Sequence, residues 1–116
     1  MPMNLALFSG SPTIGATEYS LPGAGTTRQA RTETGLMQAC IDLSALQSGD
    51  TYVLRVYEKV VAGGAQQLLE QISFSGAQAK PGSMLPAVML GVGWDVTLQR
   101  AAGADRVVPF SIRSVS

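Results

Sequence analysis

Residues 51–76 read TYVLRVYEKVVAGGAQQLLEQISFSG, and this stretch decides the fold. Two runs rich in β-branched, aromatic and aliphatic residues, Thr51 to Val61 and Gln66 to Ser75, flank Ala62-Gly63-Gly64-Ala65. Such residues suit a pleated surface, and paired glycines supply the conformations a chain reversal needs, so the stretch reads as a β-hairpin. Its register can be tested against burial. A two-residue Gly63-Gly64 turn sets Arg55 opposite Ile72. A three-residue loop through Ala65 sets Val56 opposite Ile72 and Leu54 opposite Phe74. The second gathers Tyr52, Leu54, Val56, Leu68, Ile72 and Phe74 on one face, and a one-residue slip would scatter them, so this register is expected. It also sets Glu58 against Glu70.

The same strand-and-turn grammar extends outward in both directions. Ser9-Gly10-Ser11-Pro12, Pro22-Gly23-Ala24-Gly25, Ser48-Gly49-Asp50, Lys80-Pro81-Gly82 and Gly103-Ala104-Asp105 are turn formers with short Val-, Ile-, Leu- and Thr-rich segments between them. Met37, Ala39, Ile41 and Leu43 alternate with polar or small residues. So do Trp94, Val96 and Leu98, and so do Val108, Phe110 and Ile112. A strand directs successive side chains to opposite faces, so each segment predicts one dry and one wet face. Pro109 lacks a ladder donor and predicts that the last strand lies at an edge or is bulged there. Residues 43–48 are compatible with one helical turn, and no segment sustains helical periodicity. The apolar run from Met84 reads as a buried strand, or as a patch docking on a partner. The expected fold is all-β: an antiparallel β-sandwich of about eight strands, jelly-roll-like, with an immunoglobulin-like Greek key as the alternative.

The chain has 116 residues, enough for one domain spanning 1–116 and a thin core. Residues 21–35 form a polar, Thr- and Gly-rich loop, expected to be either flexible or docked on a partner. Eight Lys plus Arg balance eight Asp plus Glu, so the net charge is zero. Nucleic-acid binding draws on a positive excess to displace counterions, and none is available globally. Charged residues make up only 14% of the chain, well under the roughly 25% usual in globular domains, which favours association. The N-terminus lacks the basic region and apolar core of a signal peptide, and the run from Met84 to Trp94 is too short to span a bilayer. A soluble protein made in the cytoplasm, with no membrane partner, is expected.

The chain contains no histidine and one cysteine, Cys40. That removes His-activated nucleophiles, the commonest zinc sites and any intrachain disulfide. No dinucleotide-binding or Walker-type glycine loop occurs, so no enzyme activity and no cofactor is expected. Glu58 with Glu70 is the single close carboxylate constellation, readable as an acid–base pair, a Ca²⁺ site or a solvated hairpin tip. Trp94 beside Asp95 suggests a sugar platform, but alternation sends the indole inward. Residues expected to contact a partner are Arg28 and Arg31 in the loop, and Met3, Leu5, Leu7 and Phe8, whose segment can pair with a neighbour's sheet edge.

Four strings carry a family resemblance: Ile41-Asp42-Leu43-Ser44-Ala45-Leu46 leading to Gly49-Asp50, Leu54-Arg55-Val56-Tyr57-Glu58-Lys59, Gly93-Trp94-Asp95-Val96-Thr97-Leu98, and Ser111-Ile112-Arg113. Together they resemble a group of small structural proteins encoded among the virion genes of tailed bacteriophages. The likeness spans about Met37 to Arg113. It implies a virion component without catalytic residues and is most similar in kind to capsid decoration (cement) proteins. The implied partners are the major capsid protein or another virion protein, with the chain itself a dimer or trimer. A tail or head-to-tail connector component is the first alternative. A carbohydrate- or receptor-binding β-module is the second.

Overall fold

A computed structural model describes residues 5–32, 35–79 and 82–115 of the chain. Ten strands lie among them: β1 (Leu5–Gly10), β2 (Thr13–Ile14), β3 (Tyr19–Ser20), β4 (Gly35–Asp42), β5 (Thr51–Lys59), β6 (Gln66–Ser75), β7 (Gly82–Leu90), β8 (Asp95–Ala102), β9 (Arg106–Val107) and β10 (Phe110–Val115). They form two four-stranded antiparallel sheets, ordered β1-β10-β4-β7 and β3-β8-β5-β6, and a small β2-β9 ribbon. With β3 counted, every connection between successive strands of these two sheets crosses from one sheet to the other, except at the β5–β6 hairpin. This is the jelly-roll order, not the immunoglobulin-like one.

The core lies between the sheets, and alternation builds it. Met37, Ala39 and Ile41 from β4, Tyr52, Leu54 and Val56 from β5, Val96 and Leu98 from β8, and Phe110 and Ile112 from β10 are all buried there. Trp94, immediately before β8, is 0% exposed at its centre. Ile14 of β2, with Leu21, Leu43 and Leu46 of the connecting segments, closes the core. Residues 43–50 make two successive turns, with Leu46 N–H bonding Leu43 O at 3.1 Å and Asp50 N–H bonding Gln47 O at 3.0 Å; residues 43–48 were compatible with one helical turn.

Three expectations need correction. The hairpin register is Leu54↔Ile72 and Tyr52↔Phe74, two residues from the expected pairing. Its ladder starts at Lys59↔Gln66, so 60–65 forms a wider loop, with Gly64 N–H bonding Val61 O at 2.9 Å inside it. A two-residue shift leaves every side chain on its original face, so burial cannot distinguish the two registers. Second, Val56 pairs with Glu70 but Tyr57 pairs with Leu68, so β6 carries an extra residue and a bulge at Leu69. The bulge turns Leu68 out of the expected apolar set. Glu58 faces Gln67 and Glu70 faces Val56, so the two carboxylates form no pair. The Glu58 carboxylate accepts the Gly91 N–H instead.

Third, the last strand is neither an edge nor bulged at Pro109. β10 lies between β1 and β4, and Pro109 sits in the break between β9 and β10, where a missing N–H costs no ladder bond. Its carbonyl still accepts Asp42 N–H at 2.8 Å. The proline that does lie within a strand is Pro86, on the edge strand β7. There the β4–β7 register slips between Met37↔Val88 and Ala39↔Leu85. The run from Met84 thus supplies a strand, while the side chains of 83–90 lie outside the described residues.

Candidate functional site

The polar side chains gathered most densely lie on the outer face of the second sheet, under a strap formed by residues 18–31. The strap leaves β3 and continues along the β8 edge. Leu21 N–H bonds Val96 O at 2.9 Å, and Arg31 N–H bonds Trp94 O at 2.9 Å. Gly93 N–H bonds Arg31 O at 2.7 Å. Within the strap, Ser20 and Gly25 bridge each other, with Ser20 N–H to Gly25 O at 2.7 Å. The Gln66 side-chain amide crosses from β6 to donate to Gln29 O at 2.7 Å and Gly93 O at 2.9 Å.

Alternation places Asp95, Thr97 and Gln99 of β8 on this outer face with Arg55 and Tyr57 of β5. A wet surface is expected there, yet Asp95 and Thr97 are both 0% exposed because the strap covers them. The Asp95 carboxylate is its anchor: it accepts the Ser20 hydroxyl at 2.7 Å, Gln29 N–H at 2.9 Å and Val96 N–H at 2.9 Å. Burial raises its pKa above the ordinary carboxylate value, against the lowering effect of these bonds, and the Glu18 charge adds to the rise.

Glu18 shows the opposite balance. Burial pushes its pKa up, but the Thr97 and Tyr57 hydroxyls, each at 2.5 Å, and the charges of Arg28 and Arg55 hold it below the ordinary value. Arg55 Nη1 is 3.5 Å from this carboxylate and donates to Gln99 Oε1 at 2.6 Å, while Arg55 Nε donates to Gln71 Oε1 at 3.1 Å. Burial also raises the Tyr57 phenol, and its bond to Glu18 raises it further. The cluster's acceptors and donors serve one another. Chemically it is a clasp that fastens the strap to the sheet.

The two regions expected to touch a partner meet on one side of the sandwich. Arg28 lies with its guanidinium carbon 4.1 Å from the Tyr57 ring centroid and its Nη1 3.9 Å from Glu18 Oε1. Arg31 sits 4.9 Å over the Phe8 ring, and Phe8 packs edge-on against Trp94 with centroids 6.4 Å apart. Phe8 therefore points inward, whereas Leu7, next along β1, is 61% exposed. Leu5 is paired with Val115 at the end of β1, and Met3 lies outside the described residues. The loop expected to be flexible or partner-docked is bonded to its own sheet up to Arg31. Trp94, being enclosed, presents no aromatic platform to a sugar.

A second polar joint was not anticipated. Asp50 looks like a turn residue, but it is buried and fastens its own turn, 47–50, to residues 104–106. Its carboxylate accepts Arg106 Nε at 2.8 Å, Gln47 N–H at 2.9 Å and Ala104 N–H at 3.0 Å. The Arg106 bond is the main reason its pKa falls to about 2. Tyr52, inside the core, extends its hydroxyl to Ala104 O at 2.8 Å and Ile14 O at 3.2 Å. The sequence signal for this joint was Gly103, whose φ of +89° leaves a backbone without Cβ against Asp50. Cys40 is half-buried beside a shallow recess between β4 and β10 that Asp42, Pro109 and Phe110 also line.

No family model and no curated protein sequence matches this chain. Among solved structures it is similar to a chain from Bacillus endospore appendages, described as a novel family of disulfide-linked pili. The TM-score is 0.57 with 13% sequence identity, over 97% of this chain and 87% of that one. At that identity the likeness concerns the fold: an all-β, antiparallel architecture shared with a structural protein.

Proposed function

We propose that this chain is a non-catalytic structural subunit of a tailed-phage particle, a decoration protein that binds the outer head lattice and stabilises it. The observation that carries this reading is where the exposed apolar side chains lie. Leu7 on the β1 edge is 61% exposed. Val60, Val61, Leu68 and Leu69, at the tip and on the edge strand of the hairpin, are 47–72% exposed. Sheet edges offer unpaired backbone groups, and apolar side chains beside them favour strand addition to a neighbour. A net charge of zero adds no long-range repulsion between copies.

The polar cluster supports the same reading, because its groups fasten the strap and leave no nucleophile–base arrangement among the described residues. The resemblance to virion proteins directs the proposal to a phage head. The endospore pilus is a case of this fold serving a protein assembly. On a lattice, many weak contacts add to a durable attachment.

The test is a three-dimensional reconstruction of the particle with density assigned to this chain, paired with heating of heads with and without it. Many copies on the outer head lattice, and heads that burst at lower temperature without them, are expected. Copies confined to neck, tail or fibre would replace this reading with the connector or receptor-binding one.

A further inference from the structure

The β6 edge has a register in which it is complementary to itself, and we propose that two copies of this chain pair antiparallel through β6 about a two-fold axis at Ser73. The backbone supplies the first argument. Gly76 N–H bonds Asp50 O at 2.7 Å, so 50↔76 is a hydrogen-bonded pair of the β5–β6 ladder. Such pairs alternate with open ones, so Gln71, Ser73 and Ser75 turn their N–H and C=O groups away from β5. Among the described residues β6 has no second neighbour in its sheet, so these groups face outward along the edge.

The side chains select the register. A perpendicular two-fold sets one residue against its own copy. Centred on Glu70, it would press two carboxylates together. Centred on Ser73, it sets Gln71 against Ser75 of the second copy and Ile72 against Phe74 of the second copy, giving about six new backbone hydrogen bonds across three pairs. Ile72 and Phe74 are half-buried against the core, so this pairing covers the apolar surface they still expose. Glu70, the single ionisable residue in β6, then faces Gly76 of the second copy. The two Glu70 side chains stand six residues apart along the strand, or about 20 Å. That is beyond two Debye lengths at physiological salt, so the edge carries no effective self-repulsion.

Edge strands usually guard themselves with lysine, proline or a bulge. β6 has neither lysine nor proline, and its bulge at Leu69 lies outside the regular span 70–75. Gln78 caps the Ser75 carbonyl at 3.1 Å, and its exchange for a strand partner is the local cost of pairing. The two β3-β8-β5-β6 sheets would join into one eight-stranded sheet. The inference concerns the free protein and stands independently of its place on a particle.

Sedimentation of the purified full chain tests it. A dimer is expected at concentrations up to about 100 µM, since a single strand pair lies at the small end of specific interfaces. Ser73→Lys sets two ammonium groups face to face on the axis and should weaken the dimer at least ten-fold, roughly, in Kd. Ser9→Lys, on the opposite edge strand β1, should leave it intact. In a Cys40→Ser background, Ser73→Cys should form an intermolecular disulfide on oxidation, because paired Cα atoms about 5.5 Å apart suit a disulfide. Ser75→Cys should not, its copy being four residues away along the strand. A chain that stays monomeric throughout that range overturns the proposal. So does a dimer that tolerates Ser73→Lys, or one in which Ser73→Cys fails to cross-link.

Discussion

Asp95 carries more of this fold than its position in a strand implies. Three donors converge on its carboxylate, two of them from the strap; Ser20 and Val96 are buried and Gln29 is half-buried. Replacing it by alanine would strand those donors without a partner. At about 1–3 kcal/mol for each buried group left unpaired, Asp95→Ala should cost about 3 kcal/mol or more. Chemical denaturation checks the loss, and hydrogen exchange should show amides 20–31 released before the rest of the domain. Tyr52→Phe removes one donor shared by two carbonyls and should cost about 1 kcal/mol without altering the fold.

Asp50 determines the acid response of its joint. Its pKa falls from 3.8 to about 2 on folding, so the unfolded chain takes up the proton first as pH drops. The contribution is complete above pH 4 and is lost as pH falls through about 2. Stability measured over that window should decline in the wild type and less steeply in Asp50→Asn. Glu18, also held below its ordinary value, acts in the same direction. Asp95, raised by burial, opposes both: its charged form is the one the fold disfavours, so protonation relieves it.

Among the elements, the hairpin and the 103–106 turn show how local devices determine long-range pairing. Gly103 has φ of +89°, and a Cβ there would meet the Asp50 side chain and backbone. Gly103→Ala should therefore destabilise by about 1–3 kcal/mol, through backbone strain together with displacement of Asp50, and calorimetry would register it as a lowered Tm. Leu69 at the β6 bulge is 50% exposed and contributes little packing, so Leu69→Lys should change stability by only about 0.5 kcal/mol. The contrast between these two positions separates a glycine required by space from a leucine required by nothing inside its own chain.

At the scale of the molecule, the first strand pairs with the last: β1 lies against β10 from Leu5↔Val115 to Gly10↔Phe110. The first sheet is complete only when both ends of the chain are present. Loop closure over such separations is slow, and folding on the millisecond-to-second scale is expected in stopped-flow fluorescence of Trp94. Removing residues 1–10 would open the β10 edge and deprive Trp94 of Phe8. The truncated chain should lose cooperative unfolding or aggregate, as judged by circular dichroism and light scattering.

Where a face was decided by alternation, it was legible in the sequence. Met37, Ala39 and Ile41, Tyr52, Leu54 and Val56, and Trp94, Val96 and Leu98 had to point inward together, because period-two hydrophobicity leaves a strand one apolar side to bury. The all-β class followed from the same pattern and its turns. The partners of those faces were decided in three dimensions. The hairpin slid by two residues, a shift that preserves every face and is invisible to alternation. Asp95 and Thr97 looked solvated, since nothing near them in sequence announces that a strap some 70 residues upstream will cover them. β10 became a central strand because β1 returned to its free side. Local pattern determines which side of a strand is dry; which segment covers the other side is a long-range choice made by packing.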